Sequence, residues 1–433
     1  MKPWAVVSDG QGRVYETENF EAVGRRGNTI TAIESAHWIP LPPGSQLMEL
    51  PGRKPVGLNR RTDRLEVIRE KAHNQLAVAA FVAPAYTLSA LAAWNNQPQM
   101  PRLPLYAYGA VGWFDGRFWT TALRIDDDIR QDPPQFNSAL IQKRAKHLLQ
   151  KYPQNRLNSH LIHNCAQTYH CPAALNYLLN RWEMPLPTSQ TCNAGCIGCI
   201  SLQKESGVCS SQFRIDFTPT AAEIAEIAVD HLESAPQPVV SFGQGCEGEP
   251  LMNGRLLAEA ISAIRSRTAK GTINLNTNAS LPQVIGRLRE VGLNSMRVSM
   301  NSAREEYYRR YFRPRGYDFQ DVLTSIRVMK QAGGFVSVNL FVYPGFTDQA
   351  TEVDAIERLI VNEKIDMIQW RNLNMDADWY WDEMQPSAEP CCGIPVLIDS
   401  LHRQYPHLRH GYFNPYLGAM ATKPPKNQCH SPF

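Results

Sequence analysis

Three cysteines, Cys192, Cys196 and Cys199, stand in a CxxxCxxC spacing inside the run MPLPTSQTCNAGCIGCISLQ. Thiolates are soft ligands. Three of them on a short loop can hold three irons of a [4Fe-4S] cube and leave the fourth iron open to a ligand that is not protein. Gly195 and Gly198 suit a loop that wraps a cube closely, because a residue without Cβ reaches conformations closed to others. Structural zinc is the competing occupant. Zinc usually recruits four ligands in paired CxxC or CxxH spacings, and the nearest further thiol is Cys209. Cys165 and Cys171, the pair Cys391-Cys392, and Cys429 have no regular spacing. They are candidates for an auxiliary cluster or simply small buried hydrophobes.

A loop of this kind needs a scaffold, and from Met184 onward the sequence alternates strand and helix patterns, the signature of a parallel sheet with crossover helices. Strands are predicted over 238–243, 272–277, 295–301, 336–345 and 366–374. Helices are predicted over Thr220–Ser234, Leu251–Thr268, Leu281–Val291, Tyr317–Ala332 and Asp348–Asn362. In such folds ligands sit at the carboxyl ends of the strands. Polar residues gather at those ends: Glu247-Gly248-Glu249-Pro250, Asn276-Thr277-Asn278, Ser299-Met300-Asn301 and Arg371-Asn372-Leu373-Asn374. Singly, each has a plain structural reading. Glu249 can cap the following helix, and the asparagines and the serine can be ordinary turn residues.

Together, in this order, the cysteine loop and the first three strand ends resemble the radical S-adenosylmethionine (SAM) superfamily over about residues 186 to 375. The resemblance implies that Cys192, Cys196 and Cys199 ligate a [4Fe-4S] cluster and that SAM chelates the open iron. It implies cofactor contacts from Gly248, Glu249, Asn276, Asn278, Ser299 and Asn301, with the Glu249 carboxylate receiving the methionyl amino group. It also implies a partial (β/α)6 TIM-like barrel. The expected activity is reductive cleavage of SAM to a 5′-deoxyadenosyl radical that acts on an unidentified substrate, with a low-potential flavodoxin- or ferredoxin-type electron donor as partner. Two features depart from the family pattern. Gly198 stands where an aromatic residue commonly precedes the third cysteine, and Cys246 is inserted beside the proposed amino-binding carboxylate.

The chain of 433 residues is long enough for several domains, and its composition is that of a globular protein. The expected architecture is α/β, with an N-terminal mixed α+β domain over 1–183, the SAM core over 184–375 and a short C-terminal extension over 376–433. A formal charge of +3 does not by itself imply a polyanionic partner. The N-terminus carries no basic segment followed by an apolar core, so a cytoplasmic location is expected. The one long apolar run, Leu76 to Trp94, contains Pro84, Thr87 and Ser89 and is read as a buried helix pair broken at the proline, not a membrane span. A helical pattern from Asp63 leads into it. Hairpins are predicted near Asp9-Gly10 and at Phe114-Asp115-Gly116-Arg117, and a helix over SALIQKRAKHLLQKY. The aromatic group Tyr106, Tyr108, Trp113, Phe114, Phe118 and Trp119 is read as core.

The run 307–317 mixes tyrosines with Arg313 and Arg315. It suits contacts to cofactor or to an acidic substrate, a solvated helix face, or stacking on nucleic acid. Arg371 points to the same mouth as a substrate contact. Two further functional classes remain open at this level: a radical SAM enzyme acting on RNA or a peptide, with residues 1–183 recognising it, and a non-enzymatic iron–sulfur or zinc redox protein.

Overall fold

The computed structural model describes residues 2–69, 75–96, 100–203 and 206–418. Its centre is a seven-stranded parallel sheet of strands β1 (Glu183–Leu186), β2 (Val239–Phe242), β3 (Thr272–Thr277), β4 (Ser295–Met300), β5 (Phe335–Val342), β6 (Met367–Asn372) and β7 (Arg409–Gly411), each paired with its sequence neighbours. Crossover helices are α1 (Ala221–Ser234), α2 (Gly254–Arg265), α3 (Pro282–Glu290), α4 (Glu305–Phe312), α5 (Phe319–Gln331), α6 (Ala350–Glu363), α7 (Ala377–Met384) and α8 (Ile394–Gln404). The protein is thus a mixed α/β structure built on a parallel sheet.

The strands divide by side-chain alternation. Ile273 and Leu275 of β3, and Met296, Val298 and Met300 of β4, join the apolar core. The alternate residues bond across the other face: Ser295 Oγ donates to Asn274 Oδ1 (2.8 Å), and Asn274 Nδ2 donates to Asn276 Oδ1 (2.8 Å) and Ser241 Oγ (3.3 Å). Helix starts carry their expected chemistry. Thr220 and Glu223 form a capping box at α1, and Asp318 and Asp321 form one at α5. Asp348, expected to open α6, instead accepts the backbone N–H groups of Gly345 (2.6 Å) and Gly393 (2.9 Å), and the helix begins at Ala350. The short edge strands β1 and β7 carry no length signal and emerge only from pairing.

The N-terminal region is mainly antiparallel sheet. Trp4–Ser8 pairs with Val14–Glu21, Val111–Phe114 and Leu76–Phe81. The Asp115-Gly116 turn forms as the sequence predicts, both residues having positive φ (49° and 72°). The expected helix pair over Leu76 to Trp94 is incorrect. The segment forms strands Leu76–Phe81, Tyr86–Leu88, Leu91–Ala92 and Trp94–Asn96. A uniformly apolar run has no period to separate a buried helix from a central strand. Here ladder partners on both sides, Gln46–Leu50 and Trp4–Ser8, decide it. The helical pattern from Asp63 is likewise a strand at Arg64–Val67, paired with Arg53–Asn59, and its continuation over 70–74 lies outside the described residues. Of the aromatic group, Tyr108 is buried, Tyr106 is exposed and the other four are half-buried edge-to-face pairs. Helices follow at Ser138–Lys151, Arg156–His160 and Pro172–Leu178, with a π-helix at Leu161–Thr168.

One continuous apolar cluster runs from Val6 to Leu408, so the N-terminal sheet and the parallel sheet share a core. Thr87 Oγ1 donates to the Trp370 carbonyl (2.6 Å), and Asn372 exchanges hydrogen bonds with Leu88 N (2.8 Å) and the Tyr86 carbonyl (3.0 Å). Among the described residues, no helix is long and apolar enough to cross a membrane.

Candidate active site

The cysteine loop leaves the carboxyl end of β1 and is pinned from two sides. Its backbone pairs with the segment ending α4: Gly195 N donates to the Phe312 carbonyl (2.9 Å), Ile197 N to the Tyr311 carbonyl (3.0 Å), and Arg315 N to the Asn193 carbonyl (2.9 Å). Asn193 reaches the end of β3, donating to Ser280 Oγ (2.9 Å) and accepting from Asn278 Nδ2 (2.8 Å). The sulfurs themselves are lightly solvated by the protein. Ala194 N donates to Cys192 Sγ (3.4 Å), Arg214 Nη2 to Cys199 Sγ (3.6 Å), and Ser201 Oγ lies 3.6 Å from Cys199 Sγ. Burial pushes the Cys192 thiol up to about 11, helped by the Glu249 charge, and the Cys196 thiol well up too, helped by its two partner cysteines. Thiols of this kind give up their protons readily only to a metal.

Gly198 explains one departure. A Cβ there would lie 2.6 Å from the Tyr311 hydroxyl, so the space beside the third cysteine is taken by a ring from α4. Nothing in the local sequence signals this, because Tyr311 lies 113 positions further along the chain and meets Gly198 only through the fold.

The loop after β2 supplies two buried carboxylates with different duties. Glu247 Oε2 accepts from Thr188 N (2.8 Å), Ser189 N (2.9 Å) and Thr188 Oγ1 (3.2 Å), while Oε1 accepts from Gly243 N (2.8 Å) and Gln244 N (2.7 Å). It ties the end of β1 to the end of β2, a bracing role that the sequence reading missed. Glu249 accepts from Asn278 N (2.8 Å), Leu251 N (3.1 Å) and the Thr277 hydroxyl, joining β2 to the end of β3 and capping the turn that follows. Burial raises both carboxyls to about 7 against the pull of these donors. Gly248 passes against the cysteine loop, donating its N–H to the Ser189 carbonyl (2.7 Å) at a place where any Cβ would collide with Thr191.

The remaining sequence-derived residues divide. Asn276 donates to the Gly243 carbonyl (2.9 Å) and accepts from Asn414 Nδ2 (3.1 Å), which also reaches Glu183 (2.7 Å). Ser299 is half-buried on the polar face of β4, in register with Asn339 of β5. Asn301 stands apart from this group. It is fully buried and bonds the Tyr307 carbonyl and the Tyr380 hydroxyl (both 3.2 Å). Arg315 lies along the cysteine loop, its Nη2 against Gly195, whereas the Arg313 side chain pairs with Glu383 (2.9 Å). Arg371 donates to the Tyr412 carbonyl (3.0 Å) and stacks on its ring. Arg297, not singled out from sequence, lies on the same polar face. Its Nε is buried without a partner, and burial together with the Arg371 charge holds it down at about 10. Tyr307, Tyr308, Tyr311 and Phe312 are buried, which removes them as a stacking surface for bases.

Residues 186–355 match the family model described as the Radical SAM superfamily. This segment belongs to the radical SAM superfamily. Membership implies a [4Fe-4S] cluster and S-adenosylmethionine as cofactors. Solved structures that this chain is similar to include native anSMEcpe with bound AdoMet (19% identity, 44% of this chain and 52% of that one, TM-score 0.34). Others are a radical SAM methyltransferase from Sphaerobacter thermophilus (14%, 48% and 64%, 0.34) and SuiB from Streptococcus suis bound to S-adenosylmethionine (14%, 55% and 53%, 0.38). The chain spans less than two thirds of the length of each.

Proposed function

We propose that this protein is a radical SAM enzyme whose cluster is held by Cys192, Cys196 and Cys199, and that it acts on a substrate bound at the carboxyl ends of a partial (β/α)6 barrel. The observation that carries the reading is the convergence of the three thiols, Glu249 and Asn278 at adjacent strand ends. The donor set fits a cluster: three soft thiolates interact within one short loop and no fourth protein ligand is needed, whereas a structural zinc site is closed by four. When bound, the reduced cluster supplies one electron to the sulfonium of SAM, yielding methionine and a 5′-deoxyadenosyl radical.

The chain's own residues bind and orient. Gly248 brings backbone close to the cysteine loop, and Glu249 offers a buried carboxylate to an ammonium group. Asn276, Asn278 and Ser299 offer polar groups to a hydroxyl-rich ligand. Asn301 acts by fixing the end of β4 against α4 and α7. Tyr311 takes the place of the missing ring beside the third cysteine and excludes water there. Arg315 and Arg371 border the mouth as candidate contacts to an acidic substrate, and Arg313 steadies the loop through its carbonyl, which accepts from Gly195 N (3.2 Å). Residues 1–183 are proposed to take part in substrate recognition, with an electron donor of flavodoxin or ferredoxin type. The nine free cysteines among the described residues suit the reducing conditions of a cytoplasm.

Anaerobic reconstitution followed by dithionite and SAM tests the reading. 5′-Deoxyadenosine is expected, and a cluster-loaded sample that makes none would overturn it. Cys196→Ala should lose the cluster's visible absorbance. Glu249→Gln, which keeps an acceptor oxygen for the strand ends, should retain the cluster and bind SAM at least tenfold more weakly by calorimetry, about 1.4 kcal/mol.

A further inference from the structure

We propose that His160, Cys165 and Cys246 form a second metal site beside Cys171, one that takes a single Zn2+ ion and clamps the helical segment before the sheet to the loop that carries Glu247 and Glu249. One ligand atom each from His160, Cys165 and Cys246 lies within 4.8 Å of the others. A tetrahedral zinc with Zn–S of about 2.3 Å and Zn–N of about 2.0 Å needs its ligand atoms roughly 3.5 Å apart, so the three are already gathered on the scale of one ion. A four-iron cube places several atoms between its thiolates and needs them spread wider than this.

Local structure accounts for the gathering. His160 and Cys165 are five residues apart, and the π-helix over Leu161–Thr168 is the helix type whose i and i+5 positions share a face. Cys171 then caps the next helix, its N–H donating to the Cys165 carbonyl (2.9 Å), which turns the chain back beside the group. Cys246 arrives from the far side on the loop after β2, held by Ile215 N donating to its carbonyl (2.8 Å). The ligand groups face one another: Cys165 and Cys246 are buried, no disulfide joins any of these thiols, the Cys246 thiol lies beside Cys165 and His160, and His160 Nε2 is buried with no other hydrogen-bond partner. A buried imidazole nitrogen without a partner is costly unless something occupies it. Two or three thiolates with one imidazole are the donors of closed structural zinc sites.

Cys246 is also the residue that interrupts the strand-end motif next to Glu247, so the ion would fix that loop from behind while Glu247 fixes it from the front. The site is separate from the cluster, and its test does not depend on SAM chemistry. Zinc, iron and sulfide are measured per chain in the full-length protein purified without oxygen. About one zinc per chain is expected, both in the unaltered protein and in Cys196→Ala, whose iron is lost; His160→Ala and Cys246→Ser should lower zinc at least tenfold. Replacing zinc by Co2+ in the unaltered chain should give thiolate-to-cobalt charge transfer and tetrahedral d–d bands, a readout that does not require the variants to fold. Absence of those bands, failure to bind added Zn2+, iron and sulfide persisting when Cys192, Cys196 and Cys199 are all replaced by Ala, or a Cys165–Cys246 disulfide in the native protein would each overturn the proposal.

Discussion

At the scale of single residues, Glu247 shows how much of the candidate site is bracing. Its two oxygens accept five hydrogen bonds, four of them from backbone N–H groups of two different loops. Glu247→Gln keeps the shape but turns an NH2 group toward at least two N–H donors, leaving buried donors unsatisfied. A loss of about 2–3 kcal/mol is expected from the urea midpoint. An unchanged midpoint would mean that the loops hold without it. The cysteine loop was legible from sequence because three thiols at fixed spacing have few other uses. The bracing was not, since the value of Glu247 lies in N–H groups nearly sixty positions away, and its neighbour Glu249 carries the same chemistry. Tyr311 was hidden for a similar reason: it belongs to α4 by sequence and to the cysteine loop by contact with Gly198.

At the scale of elements, β2 to β6 and the crossover helices α1, α2, α3, α5 and α6 were legible because apolar runs of strand length alternate with amphipathic segments, whereas α4 was left open among several readings. The apolar run from Leu76 was not, because its pattern fits a buried helix as well as a central strand. The helix α1 carries a titratable consequence. His231 is buried, its Nε2 lies 2.7 Å from the Trp182 carbonyl just before β1, and burial lowers it to about 4. With the folded value below the unfolded one, near about 6.5, the unfolded state binds the extra proton between them. Stability is therefore complete above pH 6.5 and falls as the pH drops toward 4, by about 2 kcal/mol at pH 5. His410, which accepts from Trp370 Nε1 (3.0 Å) and is also lowered to about 4 by burial, adds loss of the same sign. Thermal unfolding at pH 7.5 and 5 should show the fall, and His231→Gln should flatten it. A slope unaffected by that variant would place the proton uptake elsewhere.

At the scale of the whole molecule, the question is whether the N-terminal sheet is an attached recognition module or part of one folding unit. The join is made largely by residues just beyond β6. Arg53 Nη2 bonds Asp376 Oδ2 (2.8 Å) with both side chains almost wholly buried (4% and 2% exposed), and the same oxygen accepts Leu103 N (2.8 Å). Beside it Arg25 pairs with Asp378, whose carboxylate also accepts from Trp94 Nε1 (2.8 Å). A buried pair contributes little against a well-packed apolar substitute, yet removing one partner strands the other charge. Asp376→Ala should therefore cost about 3–5 kcal/mol, while the double change Arg53→Met with Asp376→Leu should restore most of it. Because the apolar cluster is continuous across the join, calorimetry should show one transition for the unaltered chain, and the same single transition at lower temperature for Asp376→Ala. Two transitions in the unaltered chain would mean that residues 1–183 fold independently, and the ion pair would then act in docking a separate domain instead of completing a shared core.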